Sequence, residues 1–536
     1  LAGCEDWRFL TLNLNTRSSS EVYLLDAHSP QGAPQLLQGR QEGVQWFVEH
    51  HGGWLYAVTN QREGRYRIVR APVGSAHFAD SWQSLVIGVE GSDVRPSDVV
   101  ISDIEVFRRC LAIHCLIHTL PHLLLLPLPP PGERSVTGAE SVRGESSSSH
   151  ACREVVTGGE EGTGLEEGGK EEWEGRMQLP ERVCHVVAGG NQDHNATDMR
   201  IMVSSPVMPE AVCAVHMPSG ALSLLHQEPY DRQPNPHHQQ QPQQPQQQQR
   251  HQQLQHQQEQ PIDISPSTSP PHSPSTPLPL SRVPGLACQR VWARAEDGTA
   301  VPLTLIHHEG RRTDATGPAL LEGYGAYGEV MAADWVPHRL PLLHRGWTIA
   351  LAHTRGGGEL ATHGTRQGVG SRSVGRLAAR GSSGGGFLVA AAVNADPSLF
   401  QAVVLDVPFL DGLASMCNPA LPLTVLDRHE WGDPLASPAA FRALRALCPV
   451  LNVQPGVRYP AALLSTALHD SRVGPWEPLK WAARVREESE YDDSERPVVV
   501  RVWGDRGHVA PSSGREQLED VALEHAFLLR HVGGSG

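Results

Sequence analysis

Three residues, in one chain order, have the chemistry to make an activated serine: Ser383, Asp470 and His508. The stretch RGSSGGG (380–386) fits G-x-S-x-G centred on Ser383. That pattern belongs to a sharp strand-to-helix turn that lifts a serine hydroxyl out of a sheet. Ser382 does not fit, because Arg380 would occupy the first glycine position. The flanking residues must be small, since side chains there would clash with the adjoining strand and helix. A plain Gly/Ser joint uses the same letters, so the motif needs partners. A serine nucleophile requires a base, and the base requires an orienting carboxylate. LLSTALHDSRV sets Asp470 just past a strand-like run, and VVVRVWGDRGHVA does the same for His508. Ser, Asp, His is one of the chain orders in which such triads occur. Each partner also has a bland reading, as a helix-capping aspartate and an exposed loop histidine.

The elements that must position these residues lie beyond residue 288. RVWARAEDGTAVPLTLIHH reads as a β-hairpin turning at Asp297-Gly298. After it come ALLEGYG, WTIALAHT, RLAAR, QAVVLDVP, AALLSTA and PVVVRVWG, near-continuous apolar runs separated by helical stretches. Strands of that kind belong to a parallel sheet covered on both faces. Open sheets of this sort assemble their sites at the carboxyl ends of the strands, where Asp470 and His508 fall. The last segment, GREQLEDVALEHAFLLRHV, has apolar residues at 518, 522, 526 and 529 and reads as a helix.

Upstream the character differs. Residues 1–126 are expected to be β-rich: EVYLLDA, WLYAVTN, YRIVRAPV and DIEVFRRCLAI are short β-branched and aromatic runs split by turn signals such as HHGG and QREG. Sheet blades or a sandwich would suit them. Residues 127–198 turn to Pro, Gly, Ser and Glu and are expected to stay disordered. Order is expected to return at 199–227, where two strands flank MPSG. Residues 228–281 form a Gln/Pro/Ser-rich tract, again expected to be disordered. Its histidines are irregularly spaced and poor in carboxylate neighbours, so no metal site is expected.

Bulk properties exclude several classes. The formal charge of −15 argues against a nucleic-acid partner. The run LAIHCLIHTLPHLLLLPLPPP (111–131) carries three histidines and is cut by prolines before reaching the ~20 apolar residues of a membrane span. Two buried strands joined by a turn are the expectation there. Nine cysteines, an odd number without a CxxC pair, favour reduced thiols and a cytoplasmic location.

The blocks LLEGYGAYG, RGWTIALAHTRGGGEL, RGSSGGG, LDVPFLDGL, LPLTV, EWGDP, HDSRVGPWEPLKW and the closing GH and SGR resemble the prolyl oligopeptidase family of serine peptidases, most closely its oligopeptidase B branch. The resemblance covers about 288–533 and extends weakly into the N-terminal half through SEVYLLDA, VEHHGGWLYAVTNQ and YRIVRAPV. It implies an α/β-hydrolase peptidase domain over 282–536, behind an incomplete N-terminal β-propeller made of 1–126 and the closing strands 199–227. It also implies hydrolysis of short peptides without metal or organic cofactor. Carried over by position, Ser383 is the nucleophile, Asp470 the orienting acid and His508 the base. The Tyr324 hydroxyl and the Gly384 N–H form the oxyanion hole, and Arg472 binds a substrate carbonyl. A packed aromatic in a turn is the competing account of Tyr324. Asp427, in TVLDRHEWGDP, matches one of two acids that receive an Arg or Lys side chain, while His429 replaces the other. The competing account of Asp427 is that it caps the following turn.

The chain departs from the family in three ways. Between RGGGEL and the serine, the segment at 361–376 is about two dozen residues shorter than in the family, which is expected to uncover an apolar face of the sheet and weaken support for the serine turn. Early propeller blades are absent, and low-complexity tracts interrupt the rest. The chain also lacks a recognisable start. An esterase or thioesterase on the same triad, as in the prolyl endopeptidase-like branch, and a non-catalytic interaction protein therefore stand as alternatives.

Overall fold

The computed structural model describes residues 2–128 apart from short stretches at 5–6, 17–18, 62–65, 76–77, 79–80, 86 and 90–98, together with 150–157, 177–178, 183–230, 280–310, 317–358, 376–509 and 513–533. The described chain divides into two compact units, Leu1–Tyr230 and Val283–Gly536, with residues 280–282 counted in the first.

The first unit is built of antiparallel meanders. One sheet runs Ala2–Gly3, Phe9–Asn15, Ser20–Asp26, Gln35–Gln38, and the next Trp46–His51, Trp54–Thr59, Arg67–Pro72, Gln83–Leu85. A third begins Val99–Phe107, Cys110–Ile117, Leu120–Pro127, and a fourth runs His185–Ala188, Asp198–Ser205, Met208–His216, Ala221–Gln227. Successive sheets bury one apolar cluster between each neighbouring pair. Val22, Leu24 and Leu37 meet Trp46, Leu55 and Val69. Tyr56, Val58 and Ile68 meet Ile101, Ile113 and Leu124, and Phe107, Leu123 and Leu125 meet Met199, Ile201 and Val215. Sheets stacked face to face in sequence order are blades.

Along the run at 111–131, Cys110–Ile117 and Leu120–Pro127 are the two strands expected, joined by His118 and Thr119 at φ 50° and 68°. Paired positive φ is the backbone of a two-residue hairpin turn. Among the described residues, no helix is long and apolar enough to cross a membrane. DIEVFRRCLAI is not one strand: it folds back at Arg108-Arg109, with Phe107 opposite Cys110.

The disorder expected over 127–198 needs correction. His150–Thr157 pairs with Leu123–Leu125, Met177–Gln178 pairs with it in turn, and His185–Ala188 opens the fourth sheet. The last sheet thus starts before residue 199. A short β-branched run gains its hydrogen bonds from a partner strand, and flanking composition does not report that. The expectations for 129–149, 158–176, 179–182 and 231–279 lie outside the described residues.

In the second unit the strands are β1 (Leu286–Arg294), β2 (Ala300–His308), β3 (Ala319–Gly323), β4 (Thr348–Ala352), β5 (Leu377–Ser382), β6 (Ala402–Asp406), β7 (Ala461–Ala467) and β8 (Val498–Trp503). Their order in the sheet is β1-β2-β4-β3-β5-β6-β7-β8. The β1–β2 and β2–β4 pairs are antiparallel and all others parallel. The hairpin turns at Asp297-Gly298, where Gly298 has φ 84° and Asp297 Oδ1 accepts the Thr299 N–H. Helices α1 (Leu340–Leu343), α2 (Gly384–Ala395), α3 (Gly412–Met416), α4 (Arg428–Trp431), α5 (Pro438–Leu447), α6 (Trp476–Glu488) and α7 (Gly514–His531) fill the connections. The core lies where α2 and α6 cover the middle strands: Val389, Val393, Trp481 and Val485 pack on Val403, Leu405 and Leu464. This is the α/β-hydrolase layout expected for 282–536. Of the shortened segment at 361–376, all but Arg376 lies outside the described residues.

Candidate active site

Ser383 stands between β5 and α2, at φ 53° and ψ −117°. Positive φ is costly for a residue with a side chain, so the surrounding structure must hold it. Two glycines make that possible. A Cβ on Gly381 would lie 2.2 Å from the Gly385 carbonyl oxygen, and one on Gly385 would lie 2.5 Å from that of Gly323. The turn closes only because both positions lack a side chain. The Ser383 N–H donates to the Asp406 carbonyl at 2.9 Å, and its own carbonyl accepts from Gly386 and Phe409 at 3.0 Å.

Asp470 and His508 lie in the loops after β7 and β8, and the fold brings both to the serine. His508 Nε2 is 3.1 Å from Ser383 Oγ, and its Nδ1 is 2.7 Å from Asp470 Oδ2. The other carboxylate oxygen of Asp470 accepts the backbone N–H groups of Arg472 and Val473 at 2.8 and 2.9 Å. Both side chains are almost fully buried, His508 at 8% and Asp470 at 1% exposure. A carboxylate offers no proton, so Nδ1 carries the ring hydrogen and Nε2 is left to accept from Ser383 Oγ–H. Such a relay can raise the nucleophilicity of the hydroxyl as it attacks an acyl carbon.

Tyr324, in the turn after β3, meets the serine from the other side. Its phenol interacts with the Ser383 side chain, and burial first, then the nearby Tyr327 and Glu329, push its pKa well above the usual tyrosine value. It therefore stays a proton donor at neutral pH. A Cβ on Gly384 would lie 3.7 Å from Tyr324 Oη, so the phenol sits over the first residue of α2. N–H groups in the first turn of a helix have no acceptor within it. Arg472 is exposed, and its charge acts on the Tyr324 phenol.

Asp427 is buried and precedes α4, yet its side chain makes no capping bond. The turn-cap account is thus replaced by another partner: Tyr327 Oη donates to Asp427 Oδ2 at 3.1 Å. The same hydroxyl accepts from Trp431 Nε1 at 2.9 Å, and the Tyr327 N–H donates to Glu430 Oε1 at 3.1 Å. Tyr327 itself has φ 59°. Around it Phe387, Phe409 and Trp431 pack with ring centroids 4.9 to 5.9 Å apart. His429 is exposed, with Nδ1 2.7 Å from the Leu426 carbonyl. Sequence reasoning missed Tyr327 although it lies in the YGAYG block, because nothing in the order of letters links positions 327 and 427. Among the described residues, no group of three or more His, Cys, Asp or Glu side chains is arranged to hold a metal ion.

Known proteins resemble the chain in both halves. The family model for the N-terminal beta-propeller domain of prolyl oligopeptidase matches residues 2–228, and that for the prolyl oligopeptidase family matches 371–535. Prolyl endopeptidase-like of Xenopus laevis is 27% identical over 98% of this chain and 64% of its own length. Protease 2 of Moraxella lacunata is 32% identical over 46% of this chain and 38% of its own. The structure of oligopeptidase B from Leishmania major shares the fold at TM-score 0.71 and 22% identity, over 99% of this chain and 64% of that one. The chain thus spans less than two thirds of the length of these relatives. With a propeller match and a peptidase match following each other in one chain, and a Ser–His–Asp relay closed in the second, the protein belongs to the prolyl oligopeptidase family.

Proposed function

We propose that this protein is a serine hydrolase that cleaves short peptides through an acyl-enzyme. The observation that carries the reading is the unbroken relay from Ser383 Oγ through His508 to Asp470, at 3.1 and 2.7 Å. His508 Nε2 takes the hydroxyl proton as Oγ bonds to the acyl carbon. The oxygen that becomes negative is met by the Tyr324 hydroxyl and the Gly384 N–H. His508 then gives its proton to the leaving amine as the acyl–nitrogen bond breaks. Water, deprotonated by the same imidazole, releases the acyl group and restores Ser383. Asp470 holds the ring hydrogen on Nδ1 throughout. The substrate-carbonyl role of Arg472 rests on its match by position to the family; the side chain is exposed and its charge acts on the Tyr324 phenol.

Labelling with a fluorophosphonate probe tests this reading. The native chain should label and Ser383→Ala should not; a folded native sample that fails to label would leave a non-catalytic interaction protein as the reading. Tyr324→Phe removes one oxyanion donor, and kcat should fall about 10²–10³-fold with little change in KM. An undiminished kcat would return Tyr324 to the role of a packed aromatic.

A preference for Arg or Lys before the cleaved bond rests on Asp427, a buried carboxylate on the element beside the serine turn. Asp427→Asn should lower kcat/KM for an arginyl substrate about tenfold or more against a leucyl one, the scale of one charge-assisted hydrogen bond. Equal losses on both would remove the preference. The Tyr327 bond to Asp427 and the aromatic surroundings favour a second reading, an esterase or thioesterase for an apolar acyl group. A simple ester turned over far better than either peptide would select it. A reducing, cytoplasmic setting is supported by the cysteines, which among the described residues are thiols and mostly buried. Burial pushes the Cys213 thiol up to about 12, which keeps it inert.

A further inference from the structure

The loop that carries His508 has few restraints of its own. Residues 504–509 adopt neither helix nor strand and include Gly504 and Gly507. A glycine-containing loop loses much conformational entropy when fixed, so something outside it must hold the imidazole 3.1 Å from Ser383 Oγ. The structure supplies that hold through Arg506, which ties the loop to α7 and to the segment before Asp470. The Arg506 carbonyl accepts the N–H of His469, the residue before Asp470, at 3.1 Å.

Its side chain, 12% exposed, reaches α7, with Nη1 2.6 Å from Asp520 Oδ2 and Nη2 3.5 Å from Glu516 Oε2. The guanidinium also lies on the Trp503 indole, Cζ 3.4 Å from the ring centroid. Arg501 stacks on the same side chain at 3.3 Å and approaches Asp520 Oδ1 at 3.5 Å.

Glu516, Asp520 and Glu524 follow one another at intervals of four, so they share one face of α7. Glu524 takes the other catalytic element, binding Arg380 Nε at 2.8 Å on β5, three residues before Ser383. One acidic stripe therefore ties down both the strand of the serine and the loop of the histidine.

We propose that Arg506 is a positioning residue for His508, acting through Asp520 and Trp503. Its effect on rate rests on the serine-hydrolase reading; its effect on the imidazole does not. An ordinary exposed ion pair contributes little and is screened by salt. A displacement of about 1 Å between reacting groups, by contrast, can cost ~10²-fold.

The test uses the full chain and two readouts. The first is the far-downfield proton resonance of His508 Nδ1–H, identified by its loss in His508→Ala. In Arg506→Gln it should broaden or vanish, and fluorophosphonate labelling should slow about 10–100-fold. Arg506→Lys, which keeps the charge toward Asp520, should recover part of both. A folded Arg506→Gln with unchanged resonance and labelling would overturn the proposal, as would absence of the resonance from the native chain. Where Arg506→Gln does not fold, Asp520→Asn leaves the Trp503 stack in place and is read in the same way. A native chain that keeps the resonance but never labels, and whose resonance still depends on Arg506, would uphold the positioning role and defeat the hydrolase reading.

Discussion

Ser383→Ala, His508→Ala and the double substitution are expected to be equally inactive, each lowering hydrolysis of a short peptide or ester by on the order of 10⁴–10⁶-fold. The equality is the sharper part of this expectation. A nucleophile and its base act in one proton transfer, so removing the second after the first removes nothing more. Two independent contributions would instead multiply. Folding should not confuse the result. The Ser383 side chain makes no capping bond to α2, and alanine keeps the same φ of 53°. The Gly381 and Gly385 approaches that force this conformation are untouched. Turnover by the purified variants, with melting curves as a control, decides it. A Ser383→Ala protein retaining most of its activity would mean that another group does the chemistry.

How much of this site could be read from the letters differs from residue to residue. Ser383 was legible because its turn imposes local rules: a strand before, a helix after, and glycines where the 2.2 and 2.5 Å approaches leave no room for a Cβ. Asp470 and His508 were legible because parallel strands deliver their carboxyl ends to one edge, and both follow apolar runs. Tyr324 needed the family resemblance. Beyond that, the pattern runs out wherever a contact joins distant positions. The Tyr327–Asp427 bond spans a hundred residues and depends on how α4 lies against the turn after β3. The Arg506–Asp520 pair crosses from a loop to a helix whose polar face reads as ordinary solvent-facing charge. In the first unit, His150–Thr157 was hidden by its low-complexity flanks, since a strand's stability comes from the neighbour that it pairs with. What could be read, then, was governed by local backbone sterics, and what could not was set by tertiary pairing.

The same limit applies to Glu477, which carries the second large effect. It stands at the start of α6, seven residues after Asp470, and is 1% exposed. Its Oε2 accepts the N–H groups of Leu410 and Asp411, both at 2.8 Å, and its Oε1 accepts Ser415 Oγ–H at 2.7 Å. One carboxyl thus fastens the segment after β6 to the helix that follows the Asp470 loop. Glu477→Ala would strand three buried donors, each worth about 1–3 kcal/mol, so a loss on the order of 4 kcal/mol is expected near pH 4.5, shrinking as pH rises because alanine has no proton to lose. Glu477→Gln should behave differently. Its amide oxygen can take both N–H groups while its NH₂ donates to Ser415.

The pH dependence separates the two. Burial, with the charge of Asp411 adding to it, pushes the Glu477 carboxyl up to about 7. A folded-state value raised above the unfolded one means that the native state holds its proton more tightly. The stability from that proton is fully present below about pH 4.5 and is lost as pH rises through about 7. The span corresponds to about 3 kcal/mol. Glutamine has no proton to lose, so Glu477→Gln should match the native protein near pH 4.5 and exceed it by about 3 kcal/mol at pH 8. Denaturant midpoints across that range would measure the gap. Parallel profiles for the two proteins would mean that Glu477 is already ionised at low pH, with its three donors outweighing the cost of burying the charge.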